Sequence, residues 1–193
     1  FFRGKVYFEK GDYRKAIESF KETITCSTRD DDDTQVSYHY LLACYAKIKD
    51  LGEIKDIIEN AKLCHQEFTV FYPIDYRYED FVEKTLKELL KLKLDDLLKI
   101  RIRGLLAFVQ TSNLPTPTDD DGEEKPLRAL TKKEKILVGK IEKDIKEVIG
   151  YYPDDKLFNA VYSNILYLKK DFDNSFRHKL RGIEGISSSQ TFF

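Results

Sequence analysis

Three cysteines and three histidines are the side chains in this chain best suited to nucleophilic or metal chemistry, and their spacing argues against both. Cys26, Cys44 and Cys64 are far apart, and no Cys-x-x-Cys pair occurs. Cys64 and His65 are adjacent, so on a helix they point to different faces and do not share a metal; His39 and His178 stand alone. The four aspartates Asp30, Asp31, Asp32 and Asp33 could in principle bind calcium. That chemistry needs alternating acids, a glycine at the sharp turn and a later glutamate, and the run lacks this spacing. Four adjacent acids repel one another, and a solvated loop is the expected form. Asp95-Asp96 has the place of a helix start rather than of an acid–base pair. With no glycine-rich phosphate loop, nucleophile elbow or zinc signature in the sequence, the expectation is a protein that is not an enzyme and uses no metal or cofactor. An odd, sparse set of cysteines fits buried thiols in a reducing, cytoplasmic compartment.

Charge offers one further kind of chemistry. Lys132, Lys133, Lys135, Lys140, Lys143 and Lys146 line one helical stretch, and such a face could bind phosphate, which makes a nucleic-acid-binding helical protein the alternative reading. Glu134, Glu142, Asp144 and Glu147 are interleaved with those lysines, so i,i+4 pairs on a solvated face are the expected outcome. The formal net charge of −1 over 193 residues predicts no bulk attraction to nucleic acid or membrane. No apolar run is long enough to span a bilayer, so no membrane span is expected. Phe68, Phe71, Tyr72, Tyr76, Tyr78 and Phe81 could stack on bases, but no regular basic pattern surrounds them and packing is their expected role. Arg101 and Arg103 interrupt an apolar helix, where they snorkel or pair with carboxylates.

The elements that hold these residues are read as helical throughout. Residues 1–24 form two short helices meeting at Lys10-Gly11-Asp12, with Gly4 and Ala16 at the close approach and Tyr7, Tyr13, Ile17 and Phe20 around them. Residues 35–66 form a second pair, turning at Asp50-Leu51. A third helix follows over 75–92, and a fourth, capped by Asp95 and apolar almost all round, ends near Gln110. Residues 111–130 hold Pro115, Pro117, Pro126 and a second acidic run, and read as a flexible linker; Thr116 and Thr118, beside proline and acids, could be phosphorylated, but a simple flexible insertion is the expected reading. Thr131-x-x-Glu134 is a capping box that opens a helix ending at Gly150. The last hairpin, 157–186, turns at Asp171-Phe172 with small Ser175 behind it, and 187–193 is a tail. The expected organisation is therefore 1–110 helical hairpins, 111–130 linker, 131–186 further hairpins and 187–193 tail.

Gly4-x-x-Tyr7, Ala16-x-x-x-Phe20 and the intervening Gly11-Asp12-Tyr13 resemble the tetratricopeptide repeat, a 34-residue helix–turn–helix unit. Tyr45 follows Tyr7 by 38 residues, the repeat period plus the four aspartates. In that register Leu41-Leu42-x-x-Tyr45, Ile54 and Ile58 take the signature positions, and Tyr162, Ser163, Leu166 and Asp171-Phe172 give a weaker third match. Arg3, Thr28 and Lys179 depart from the pattern, and its early tryptophan position would precede residue 1, so the chain is expected to be a piece of a longer protein. The resemblance implies an all-α fold of antiparallel hairpins stacked into a right-handed superhelix, an α-solenoid. It implies a scaffold in a multi-subunit assembly, holding a helix or extended segment of a partner protein in a groove lined by Lys5, Phe8, Glu9, His39 and Lys47. A structural arm joining subunits is a related expectation. Members that grip chaperone C-terminal carboxylates use lysine and asparagine where this sequence has Phe1, Lys5 and Tyr40, so that clamp is not expected.

Overall fold

The computed structural model describes residues 1–26, 32–60, 78–111, 113–115 and 128–183, and among them every regular element is an α-helix. In chain order these are α1 Phe2–Glu9, α2 Tyr13–Cys26, α3 Asp32–Ile48, α4 Leu51–Asn60, α5 Glu79–Leu89, α6 Asp96–Thr111, α7 Lys132–Tyr151, α8 Lys156–Leu168 and α9 Phe172–Ile183. No described helix is long and apolar enough to cross a membrane. Two compact units divide within α6, Phe1–Ile102 and Arg103–Phe193. Of the expected linker, residues 112 and 116–127 lie outside the described residues, as do 61–77 with Cys64, His65 and most of the aromatic run, and 184–193 with the end of the last hairpin and the expected tail.

One turn recurs three times. Gly11 takes a φ of 76°, Lys49 59° and Lys170 65°, and each is followed by an aspartate. The backbone N–H groups of Asp12, Asp50 and Asp171 donate to the carbonyls five residues back, on Tyr7, Tyr45 and Leu166, at 3.0, 3.0 and 2.9 Å. Their Oδ1 atoms accept from the N–H groups of Lys15, Glu53 and Asn174 at 3.3, 3.2 and 3.5 Å. The left-handed residue satisfies the end of one helix, and the aspartate caps the start of the next. Only the first turn places glycine at the left-handed position. An L-residue with a side chain is strained there by about 1–2 kcal/mol, partly offset by the extra unfolded-state entropy of glycine. Lys49→Gly and Lys170→Gly should therefore each raise stability by up to about 1 kcal/mol in urea titrations, and Gly11→Lys should lower it by a similar amount. Unchanged midpoints would mean that the turns are relaxed.

Two of the three hairpins close around small residues eight before and four after the aspartate. Ala16 is fully buried, and a Cβ added at Gly4 would stand 2.6 Å from Phe20 Cε1, so the ring lies directly on the α1 backbone. In α8–α9 the same two places hold Ser163 and Ser175, both buried. Each hydroxyl donates to the other residue's carbonyl at 2.9 Å, which satisfies both inside the close approach. The middle pair, α3–α4, uses Leu42 and Ile54 there, 1% and 0% exposed.

Other helix ends follow the sequence reading. Thr131 and Glu134 form the reciprocal capping box, and Asp95 and Asp155 cap α6 and α8 through bonds to Leu98 N and Phe158 N at 2.8 and 3.2 Å. Arg128, then the Thr131 amide and hydroxyl, hold the Glu134 carboxyl down to about 2. The acidic run is a correction: α3 already begins at Asp32, so its second half opens a helix rather than continuing the loop. Within the second unit a Cβ at Gly104 would lie 2.6 Å from Phe158 and 2.9 Å from Val148, so α6 passes α7 and α8 at backbone distance.

Candidate functional site

The first unit assembles an aromatic row on α1, α3 and α5. Tyr40 is its centre. Its ring stacks on Phe20 at 5.0 Å, meets Phe8 edge-on at 5.1 Å and lies 4.5 Å from Phe81. Phe8 also meets Phe81 at 5.9 Å and Tyr13 at 5.7 Å, both edge-on. Such offset and edge contacts are each worth roughly 0.5–1.5 kcal/mol beyond simple burial. Lys5 places its ammonium 5.5 Å from the Phe1 ring and 5.6 Å from the Tyr78 ring, a cation held between two π faces.

Electrostatics around Tyr40 follow from this packing. Burial, then the neighbouring Tyr78 and Glu9, push its phenol up to about 12, so it stays neutral. Glu9 itself is exposed, and Lys5 and Phe8 are half-buried. Phe81 lies on Tyr40, and the charge of Lys47 reaches Glu88, each seven residues further along its helix. The helices α3 and α5 therefore run side by side in the same direction. Lys47 is exposed about 10 Å along α3 from Tyr40.

Lys5, Phe8 and Glu9 thus gather at one end of this surface, and Lys47 stands at the other. His39 does not join them. It is 2% exposed and sits within the packed part of α3, where burial pushes its imidazole down to about 4. The physical reason is that α3 packs against α1, α2, α4 and α5 at once, so residues 39–45 are buried all round. A reading by repeat period treats α3 like α1, which has fewer neighbours. Phe81 packs on Tyr40 and Phe8, the role expected of the aromatic run, and Tyr78, just before α5, faces the Lys5 ammonium.

The other chemically suggestive residues have structural partners. Cys44 is fully buried, and desolvation pushes its thiol up to about 12, which leaves it unreactive. Cys26, in contrast, is exposed at the end of α2 and departs from the expectation of buried thiols. Arg101 Nε donates to the Ile58 carbonyl at 3.2 Å, and Arg103 pairs with Glu147 at 2.7 Å. On α7, Glu142 takes both Lys146 and Lys169 at 2.8 Å. Asn159 donates through Nδ2 to the Pro153 and Asp155 carbonyls, so its Oδ1 faces His178 Nδ1 at 2.8 Å and that imidazole nitrogen carries the proton. Among the described residues no group of three or more His, Cys, Asp or Glu side chains is arranged to hold a metal ion. Comparison of the chain with protein-family models, with curated proteins and with solved structures found no match.

Proposed function

We propose that this chain is a non-catalytic protein-interaction module of tetratricopeptide type, a right-handed stack of helical hairpins that holds a helix or extended segment of a partner within a multi-subunit, cytoplasmic assembly. The observation that carries the reading is the threefold turn: a left-handed residue, a capping aspartate and a small or aliphatic residue four further on, at Gly11-Asp12, Lys49-Asp50 and Lys170-Asp171. A hairpin repeated in one register stacks its first helices side by side, and such a layer offers a continuous surface to a partner. The parallel course of α3 and α5, with Phe8, Tyr40 and Phe81 joined across three helices, supports the same reading. The half-buried rings of Phe8 and Phe81, supported by buried Tyr40 and rimmed by Lys5, Glu9 and Lys47, suit a segment with an apolar side chain flanked by charges of both signs.

Reversal of the rim, Lys5→Glu with Glu9→Lys and Lys47→Glu, should lower capture of partner proteins at least about tenfold, which is 1.4 kcal/mol, with helicity by circular dichroism unchanged. Undiminished capture would remove this surface from the reading. Capture that nuclease treatment abolishes would favour the Lys132, Lys140 and Lys143 face of α7 and a nucleic-acid partner instead.

A further inference from the structure

Most acids of α7 are already partnered. Arg128 holds Glu134, Glu142 takes Lys146 and Lys169, and Glu147 pairs with Arg103 of α6. The remaining acid, Asp144, is half-buried on the flank of the helix. The i,i+4 pairing expected along this helix therefore involves Lys146 alone of its lysines. Lys132, Lys133, Lys135, Lys140 and Lys143 are all exposed and form no ion pair with any described residue.

Helical phase gathers these lysines around one outward stripe. Lys132, Ile136, Gly139 and Lys143 follow at i, i+4, i+7 and i+11, opposite the buried Val138, Ile141, Ile145 and Val148. Lys133 and Lys140 border the stripe on one side and Lys135 on the other. Its length is about 16 Å, or roughly three turns. Two residues at its middle do nothing for the packing of this chain. Ile136 is 66% exposed. A Cβ at Gly139 would meet nothing within 4 Å, whereas those at Gly4 and Gly104 would strike rings, so no neighbour in this chain calls for glycine there. Glycine inside a helix lowers its stability relative to alanine, and it suits a place where another backbone comes close.

We infer that this stripe of α7 is a second docking surface, and that its occupant is an acidic amphipathic helix of a partner protein. The partner helix lies along α7, with a large apolar side chain over Gly139, a small residue facing Ile136, and glutamates or aspartates on both flanks against the five lysines. Charge complementarity sets the sign of the partner, since unneutralised cations crowd one face of a chain whose formal net charge is −1. The large residue beside a small one at helical spacing sets its form. A nucleic-acid strand would be held by arginine, hydroxyl and aromatic groups, and the stripe has none of them. An anionic bilayer would take a broad apolar face, and this stripe exposes a single isoleucine. The surface lies within the second unit and does not depend on the groove of the first.

Fluorescence anisotropy with the full chain and a synthetic helix tests this. The probe is a labelled peptide of about 21 residues, long enough to hold a helix, with leucine and alanine along one stripe and glutamate on both flanks; a second peptide carries glutamine in place of glutamate. The wild type should bind the glutamate peptide at least about tenfold more tightly than the glutamine peptide. Lys140→Glu combined with Lys143→Glu should weaken the glutamate peptide at least about tenfold. Gly139→Gln should weaken it as well while raising the thermal stability of the chain, because a Cβ there meets nothing within 4 Å and glycine is the poorer helix former. Those opposite signs separate lost docking from a damaged fold. A wild type that binds neither peptide, peptide binding that Gly139→Gln leaves unchanged, or tighter binding to a duplex oligonucleotide or to phosphatidylserine vesicles overturns the assignment. So does peptide binding that appears only after Asp119, Asp120, Asp121, Glu123 and Glu124 are changed to their amides, which would give the face to the chain's own acidic run. None of these residues is among the groove residues, so this outcome and that of the rim reversal are separable.

Discussion

Phe20→Ala is expected to destabilise the first unit by about 3–5 kcal/mol, the usual cost of removing a fully buried aromatic side chain. Phe20 has no exposed surface; its ring lies on the α1 backbone at Gly4 on one side and stacks on Tyr40 at 5.0 Å on another. The truncation therefore opens a cavity between two hairpins and removes the support of Tyr40, at the centre of the aromatic row. Gly4→Ala alone is expected to cost about 1–3 kcal/mol through overpacking, because its methyl would stand 2.6 Å from the Phe20 ring, and the better helix propensity of alanine, about 1 kcal/mol, offsets only part. In the Phe20→Ala background the obstructing ring is gone. There Gly4→Ala should reverse sign and stabilise. Chemical denaturation of the four proteins of this cycle measures the coupling. Additive effects would show that the glycine is not held by the ring, and the close approach of α1 and α2 would lose its physical explanation.

Acid should weaken the first unit well above the pH at which carboxylates protonate. His39 is buried, and its folded-state value of about 4 lies below the ordinary histidine value of 6.5. The folded form thus holds the imidazole neutral, while the unfolded chain takes up a proton below pH 6.5. Stability is present in full above that pH and is lost as pH falls towards 4, by up to about 1.4 kcal/mol per pH unit and roughly 3 kcal/mol in all. His178, lowered by burial and by Arg181, acts in the same direction in the second unit. The carboxylates held down by cations, Glu134, Glu142, Glu88 and Asp12, have the same sign but a different window: their stabilisation is complete above about pH 4.5 and falls away below it. His39→Gln should flatten the stability profile between pH 6.5 and 4 and leave the steep loss below it. An unchanged profile in that variant would mean that the buried imidazole is protonated in the folded protein.

The hairpin turns were legible because their chemistry is local. Asp12, Asp50 and Asp171 cap the helix that follows each of them, and a cap needs only the three residues after it. The Thr131 and Glu134 box and the Asp95 cap were legible for the same reason. The small residue at Gly4 and the ring at Phe20 could be paired because both lie in one hairpin at fixed offsets from its turn. What escaped was anything that depends on the number of neighbours a helix has. His39 has the polarity and spacing of a groove residue and is nevertheless inside, and Cys26, expected inside, is exposed. Asp32 and Asp33, read as loop, lie within α3, whose bounds were not readable from the acidic run.

By itself, then, the sequence determined that this chain is helical, where most helices start and stop, and which small residues let them approach, since propensity, capping and periodicity act within a few residues. The tertiary structure alone decided that His39 and Tyr40 both lie inside the packed part of α3, and that Phe81 reaches Tyr40 and Phe8 from α5. Burial is a property of the neighbours as much as of the residue. Phe2 and Tyr40 occupy the same place in their hairpins, and only the helix lying on one of them makes the difference.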